Sequence, residues 1–177
     1  LWAGEITGDK KYTKYAKDRF NLLATWIPAV KKLKAAGGYS GNTYPLKQPI
    51  EPHALDDAGA VCAAMIKATT AGVNNNLRQQ IDVYADWVTK KEYRLPDGTL
   101  ARMRPQKNTL WLDDLYMGVP TLAQMGKLTG DKKYFDDAVN QVKLYTQRMF
   151  IKEKGVYMHG WVESMETHPE FKWARAN

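Results

Sequence analysis

The sequence predicts an all-α protein built from repeated helical hairpins, and three observations support this prediction. The tripeptide Leu-Asp-Asp occurs at residues 55–57 and again at residues 112–114, 57 positions later. A second motif, Ile-Thr-Gly-Asp-Lys-Lys-Tyr at residues 6–12, returns almost unchanged at residues 128–134. Apolar residues recur between these motifs at helical spacing. Repeats of this length, each holding two helices, indicate a toroid or solenoid of helical hairpins.

The repeat extends beyond the Leu-Asp-Asp motif, because other positions coincide when the two halves are superimposed at the same offset. Asn74 falls on Asp131, and both residue types favour helix N-caps. The apolar residues coincide in the pairs Leu77 with Tyr134, Ile81 with Ala138 and Val88 with Tyr145. The repeat therefore describes a helix with one apolar face in each copy.

The first helix is predicted from residue 9 to about residue 27, where Asp9 provides the N-cap. Its buried stripe should contain Tyr12, Ala16, Phe20 and Leu23. We expect this helix to end before Pro28, since proline removes a backbone donor. Residues 35–52 follow as a long loop rich in glycine and proline, and loops of this length are commonly functional.

The remaining predicted elements are helices joined by turns or short extended segments. An alanine-rich helix from Leu55 to Thr70 suits close packing, and another helix runs from residue 74 to about residue 91. Residues 93–102 predict a hairpin around Asp97-Gly98. The helix that begins near the second Leu-Asp-Asp contains Pro120, where a kink is expected, and residues 131–150 form the last helix. Residues 154–161 predict a short extended segment.

Composition limits the classes of partner and cofactor. No apolar run approaches the roughly 20 residues that span a bilayer, so no membrane segment is predicted. The net charge of +7 with 26 lysines and arginines raises the chance of an acidic partner. Many of the lysines fall along the first helix, where they are explained as its solvent-exposed face. We therefore predict no nucleic-acid partner.

Metal and cofactor sites are not predicted either. The three histidines, His53, His159 and His168, lack metal-ligand spacing, and no glycine-rich phosphate loop occurs. The lone Cys62 lies in a helical run, where it packs as a small buried residue. We therefore expect no metal and no cofactor.

The stretch Trp111-Leu-Asp-Asp-Leu-Tyr-Met117 places two carboxylates at the start of an apolar helix. The helix dipole accounts for acidic residues in a first turn, and this structural interpretation explains many such pairs. The functional interpretation is a general acid, because an apolar neighbourhood and a second carboxylate both favour a protonated carboxyl group. The repetition of the motif favours the functional interpretation.

These motifs resemble a known family. Their order in the chain is Leu55-Asp56, Trp111-Leu-Asp113, Tyr116-Met117, Pro120, His159-Gly-Trp161-Val-Glu-Ser164 and Trp173-Ala-Arg-Ala-Asn177. Together they look like the unsaturated uronyl hydrolases of glycoside hydrolase family 105, with family 88 as a close relative. The resemblance implies an (α/α)6 six-hairpin barrel. The chain would form about the N-terminal half of it, so that residues 1–177 are part of a single catalytic barrel, incomplete at both ends and completed by the remainder of that barrel.

The resemblance also implies a substrate and a mechanism. The substrate would be an oligosaccharide left by a polysaccharide lyase, ending in a 4,5-unsaturated uronic acid. The enzyme would hydrate the vinyl ether double bond and so expel the aglycone. Asp113 would serve as the acid and base, with Asp56 as the supporting aspartate. The substrate-binding residues implied by the same motifs are Trp111, His159, Trp161, Trp173 and Arg175, the last suited to a bidentate contact with a carboxylate.

Two alternatives remain open from the sequence. One is a non-catalytic carbohydrate-binding toroid, which would keep the aromatic residues and need no acid. The other is a different six-hairpin enzyme, such as an ordinary glycosidase or an epimerase. The aglycone is also open, and so is the compartment, with the bacterial periplasm and the cytoplasm as the two expectations.

Overall fold

Helices dominate the part of the chain that the computed structural model describes, which comprises residues 1–73, 76–104 and 106–164. The helices are α1 Trp2–Thr7, α2 Lys10–Ala35, α3 Lys47–Ile50, α4 Leu55–Thr70, α5 Arg78–Asp86, α6 Leu112–Thr129 and α7 Lys132–Met149. A π-helical turn, Trp87–Lys91, continues α5. The strands are β1 Thr109–Trp111, β2 Phe150–Ile151, β3 Val156–Tyr157 and β4 Gly160–Val162.

The helices form successive hairpins around a main apolar core. Helices α4 and α6 pack against each other, while α5 packs on α4 and α7 packs on α6. The close approach of α4 and α6 depends on Gly59, because a Cβ atom there would lie 2.4 Å from the carbonyl oxygen of Met117. The hydroxyl of Thr121 also donates to the Gly59 carbonyl at 2.6 Å. The two helices that carry the Leu-Asp-Asp motifs therefore lie side by side.

The repeated Thr-Gly-Asp-Lys-Lys motif forms the same turn in both copies. Gly8 and Gly130 end α1 and α6 with positive φ angles of 68° and 74°, where a side chain is strained. Asp9 and Asp131 then cap α2 and α7 through their carboxylates. These caps confirm the predicted helix starts at both copies, whereas the predicted cap at Asn74 lies outside the described residues.

The prediction that the first helix ends before Pro28 is wrong, since α2 continues through Pro28 to Ala35. Proline removes one backbone hydrogen bond from the helix, but the burial of apolar side chains on both sides of Pro28 offsets this cost. Ile27 and Val30 are buried and pack in a second apolar cluster with Tyr44 and Ile50. Tertiary packing thus overrides the local cost of the proline.

Several other predicted elements are confirmed, although the helix predicted from residue 74 to about residue 91 begins at Arg78 and ends in the π-helical turn. Helix α4 has the predicted bounds, Phe20 is buried as expected in α2, and Cys62 is buried in α4. Tyr12 differs from the prediction because its side chain is exposed. The hairpin around Gly98 forms with a bridge between Arg94 and Leu100, and Gly98 itself has a φ of 90°.

Residues 35–52 are not one open loop, since they contain the short helix α3. Pro120 lies inside α6. Across the described residues, no helix combines the length and the apolar character needed to cross a membrane.

Candidate active site

The candidate site lies at the start of α6, where a two-stranded sheet brings a distant segment to the helix. Strand β1 pairs antiparallel with β4, so that Trp111 lies opposite Gly160. The first amide of α6, from Leu112, donates to the carbonyl of His159 at 2.8 Å. The sheet thereby fixes His159 beside the first turn of the helix.

Three predicted site residues meet at this point. The Nε2 atom of His159 lies 3.1 Å from Oδ2 of Asp113. The His159 ring also contacts the Trp111 ring edge to face, with centroids 5.1 Å apart. Asp113 keeps 38% of its side chain exposed, so the carboxylate is open to a ligand while the imidazole orients it. The structure therefore brings Asp113, Trp111 and His159 together.

Asp56 joins the same site through an arginine. The guanidinium of Arg102 donates from Nη2 to Oδ2 of Asp56 at 2.9 Å. It also donates two hydrogen bonds to Asp114. One runs from Nε to Oδ2 at 2.7 Å, and the other runs from Nη2 to Oδ1. Because Asp114 follows Asp113 directly, Arg102 links the first turn of α4 to the first turn of α6.

The Arg102–Asp114 pair is the buried part of this network. The Asp114 side chain has no exposed surface, and Arg102 is 16% exposed. The neighbouring carboxylate of Asp114 raises the pKa of Arg102 above its ordinary value, so the guanidinium stays charged. Burial raises the pKa of Asp114, while the hydrogen bonds from Arg102 act in the opposite direction. The pair is thus a fixed support for the two aspartates that remain open.

The second aspartate of the first motif has a structural position. Asp57 accepts a hydrogen bond from the His53 backbone amide at 3.0 Å. Its Oδ2 atom also lies 2.6 Å from Nδ1 of His53. The Asp57 amide donates to the Ala54 carbonyl, so Asp57 ties the segment before α4 to the first turn of the helix.

Trp161 does not join the group around Asp113. In the β1–β4 pair it lies opposite Leu110, so the two side chains share the face opposite to Trp111. Its ring packs against the core and lies 5.6 Å from the guanidinium carbon of Arg148. Trp173 and Arg175, the remaining predicted binding residues, lie outside the described residues.

Sequence reasoning missed Arg102 and the anchoring role of Asp114. Arg102 lies in a hairpin segment with no recognisable motif, so its sequence position gave no indication of a partner 46 residues away. For Asp114 a signal existed, because a carboxylate at a buried helix position requires a cation or a proton. Among the described residues, no three histidine, cysteine or acidic side chains are arranged to hold a metal ion.

Comparisons with solved structures show what this fold is similar to. A possible member of glycoside hydrolase family 105 from Salmonella enterica serovar Paratyphi A matches with a TM-score of 0.64 at 22% identity, over 91% of this chain and 37% of that one. A second possible member, from Klebsiella pneumoniae, matches with a TM-score of 0.54 at 20% identity, over 86% of this chain and 38% of that one.

A family 105 glycoside hydrolase from C. acetobutylicum matches with a TM-score of 0.54 at 22% identity, over 97% of this chain and 44% of that one. The chain thus spans less than half the length of these structures. The helical hairpins are a partial (α/α)6 barrel, as the sequence predicted. A search of curated proteins gives no match.

The family model described as Glycosyl Hydrolase Family 88 matches residues 1–177, which is the whole chain. The family resemblance seen in the sequence motifs is confirmed by this match. On this evidence the chain belongs to glycosyl hydrolase family 88.

Proposed function

We propose that the complete protein hydrates 4,5-unsaturated uronic acids at the end of lyase-generated oligosaccharides, with Asp113 as acid and base. The observation that carries this proposal is the contact between Asp113 and His159, 3.1 Å apart, on an open helix start. Family membership supports a glycoside hydrolase acting on a carbohydrate. Asp56, which lies on the adjacent helix α4 and is bound by Arg102, supplies a second open carboxylate.

The proposed reaction uses these groups in order. Protonated Asp113 delivers its proton to C4 of the double bond, which leaves a positive charge shared by C5 and the ring oxygen. The nearby carboxylate of Asp56 stabilises that charge. Water then adds at C5 and returns its proton to Asp113. The resulting hemiketal opens, and the aglycone leaves from C1. One carboxyl group serves both proton transfers, so the two-carboxylate spacing of ordinary glycosidases does not apply.

The substrate-binding roles are also proposals. Trp111 presents an apolar surface beside Asp113 and His159 and is suited to pack against a sugar ring. Arg175 and Trp173 are proposed on the sequence motif alone, with the guanidinium of Arg175 binding the uronate carboxylate. Trp161 acts in this proposal through the packing of β4 that positions His159.

Isotope labelling tests the proposed reaction. In heavy water, the released uronate should carry deuterium at C4, and oxygen from labelled water should enter at C5. The ultraviolet absorbance of the conjugated uronate should fall as the reaction proceeds. Label confined to C1 would show an ordinary anomeric displacement, and absence of any turnover over a panel of unsaturated disaccharides would favour a carbohydrate-binding protein.

We also propose that the described hairpins pack against the remainder of one barrel. Helix α7 carries exposed apolar side chains at helical spacing, namely Phe135, Val139 and Val142. A second apolar surface is a cavity of about 530 Å³ between α1, α2 and α4, lined by Trp2, Tyr15 and Phe20. Such apolar faces are normally covered.

Residues 1–177 expressed alone should therefore self-associate. Replacing Phe135 and Val139 by lysine should reduce the association, whereas Lys132→Glu and Lys143→Glu in the same helix should not. A monodisperse monomer at all concentrations in analytical ultracentrifugation would contradict the proposal.

A further inference from the structure

Glu92 is a half-buried acidic residue that the proposed reaction does not use. It follows the π-helical turn that continues α5, and its side chain reaches the region of Arg102. The Oε2 atom is buried and has no hydrogen-bond partner among the described residues. A buried polar atom without a partner is costly, so its presence requires a reason.

The surroundings of Glu92 favour its neutral form. Burial raises the pKa of Glu92 to about 8, and the charge of Asp114 acts in the same direction. Arg102, a backbone hydrogen bond from Tyr93 and the charge of Arg104 oppose this increase. The carboxyl group is therefore mostly protonated at neutral pH and ionises in the mildly alkaline range.

A cavity of about 210 Å³ adjoins Glu92 and Arg102. Its wall combines the π-helical turn, the segment after it and the residues before α4, and the charged or titratable groups on it are His53, Lys91, Glu92, Tyr93, Arg102 and Arg104. The buried phenol of Tyr145, on α7, also senses the charges of Asp114 and Glu92. The cavity leaves space for a long side chain such as Arg102 to change its position.

We propose that Glu92 is a positioning residue that acts on Asp56 through Arg102. When Glu92 is neutral, the guanidinium binds Asp56 and Asp114, as the structure shows. When Glu92 ionises, it becomes a third carboxylate that competes for the guanidinium of Arg102, beside the weaker attraction of Arg104. The bond to half-exposed Asp56 is the weakest of these, because Asp114 is fully buried and is held by two hydrogen bonds. Ionisation therefore releases Asp56 from the contact that holds its half-exposed side chain, so the carboxylate loses the fixed position that the proposed reaction requires.

The effect on stability has a defined sign. A glutamate is ionised in the unfolded chain above its ordinary pKa of 4.5, whereas Glu92 in the folded chain stays neutral until about pH 8. The folded state therefore binds more protons than the unfolded state between these values. The contribution of Glu92 to the free energy of unfolding is fully present below pH 4.5. It is lost as the pH rises towards about 8, and it changes no further above that pH.

The activity test rests on the proposed function and uses the complete protein with an unsaturated disaccharide. The kcat/KM of the wild type should fall by about tenfold from about pH 7 to about pH 9, with a midpoint near the pKa of Glu92. Glu92→Gln should lack this alkaline step, and Glu92→Asp, which retains an ionisable group, should restore it. Glu153→Gln, which removes an exposed carboxylate from a turn, is the matched control and should keep the step.

A second measurement needs no substrate and separates the two proposals. The Tm of the wild type should decrease between about pH 5 and about pH 8, and the decrease should be smaller in Glu92→Gln but not in Glu153→Gln. If unsaturated disaccharides are not turned over while this Tm difference appears, the proposed function fails and the titration of Glu92 stands. An unchanged alkaline step, or an unchanged Tm profile, in Glu92→Gln would overturn the inference about Glu92.

Discussion

The two Leu-Asp-Asp copies share a sequence and a helix start, yet their carboxylates have different partners. In both copies the second aspartate is anchored and the first is more open to solvent. Asp57 and Asp114 are 13% and 0% exposed, whereas Asp56 and Asp113 are 51% and 38% exposed. The repeat therefore conserves one structural and one open carboxylate in each helix start.

The difference lies in the group that contacts each open carboxylate. Asp56 is bound by the guanidinium of Arg102, a fixed positive charge. Asp113 is contacted by the imidazole of His159, a group that can exchange a proton. Identical local sequences thus have different neighbours, which is the basis for the different roles that we propose, electrostatic support for Asp56 and proton transfer for Asp113. The neighbours, which come from other segments, create the distinction.

The largest expected effect separates the two open carboxylates. Asp113→Asn preserves the shape and removes the transferable proton, so kcat of the complete enzyme should fall by about 100-fold to 10,000-fold. Asp56→Asn should reduce kcat less, since it removes charge stabilisation and leaves the acid. Steady-state kinetics with an unsaturated disaccharide measures both, and thermal unfolding checks that each variant is folded. Retention of more than about one tenth of kcat by Asp113→Asn, a loss below about 1.4 kcal/mol, would contradict the assignment.

The next effect concerns the anchored aspartate of the second copy. Arg102→Met leaves the buried Asp114 carboxylate without its cation, and the free energy of unfolding should fall by about 3 kcal/mol or more. Urea unfolding measures this change. Adding Asp114→Leu should recover most of the loss, because a matched apolar pair carries no uncompensated charge.

The control for Arg102→Met is an exposed ion pair. Arg78→Met breaks the surface pair with Asp82 and should cost less than about 1 kcal/mol. Equal costs for Arg102→Met and Arg78→Met would show that burial of the Arg102–Asp114 pair has no energetic consequence.

A third effect compares two equivalent positions of the repeat, one packed between helices and one exposed. Gly59 of the first helix corresponds to Tyr116 of the second at the 57-residue offset. Gly59→Ala places a methyl group against the Met117 backbone and should destabilise the fold by about 1–3 kcal/mol. Tyr116→Ala should cost less than about 0.5 kcal/mol in residues 1–177, because that side chain is 64% exposed. Denaturant unfolding of both variants would compare them, and equal costs would contradict the close packing of α4 on α6.

Apart from the control variants, the smallest expected effect is at the start of the helix in the first copy. Asp57→Asn weakens the pairing with His53 and should lower the free energy of unfolding by about 1 kcal/mol. Calorimetry at neutral pH would detect it. A loss as large as that of Arg102→Met would mean that Asp57 is more than a helix cap.

Much of the fold could be predicted from the sequence because helix signals are local. The bounds of α4 and the caps at Asp9 and Asp131 follow from residue type and spacing within a few positions. The failure at Pro28 marks the limit of this reasoning. Helix α2 continues past Pro28 because Ile27 and Val30 are buried against Tyr44 and Ile50. These two partners lie in a later segment, so local sequence does not reveal them.

The sequence alone determined the repeat, the helical class and the presence of two carboxylates at each of two helix starts. Only the tertiary structure decided which carboxylates are buried, because burial depends on what packs over a helix rather than on the helix itself. It also decided that Arg102 joins Asp56 to Asp114, and that His159 faces Asp113 while Trp161 turns to the core. These contacts join residues 12 to 46 positions apart, and no local pattern encodes such distances.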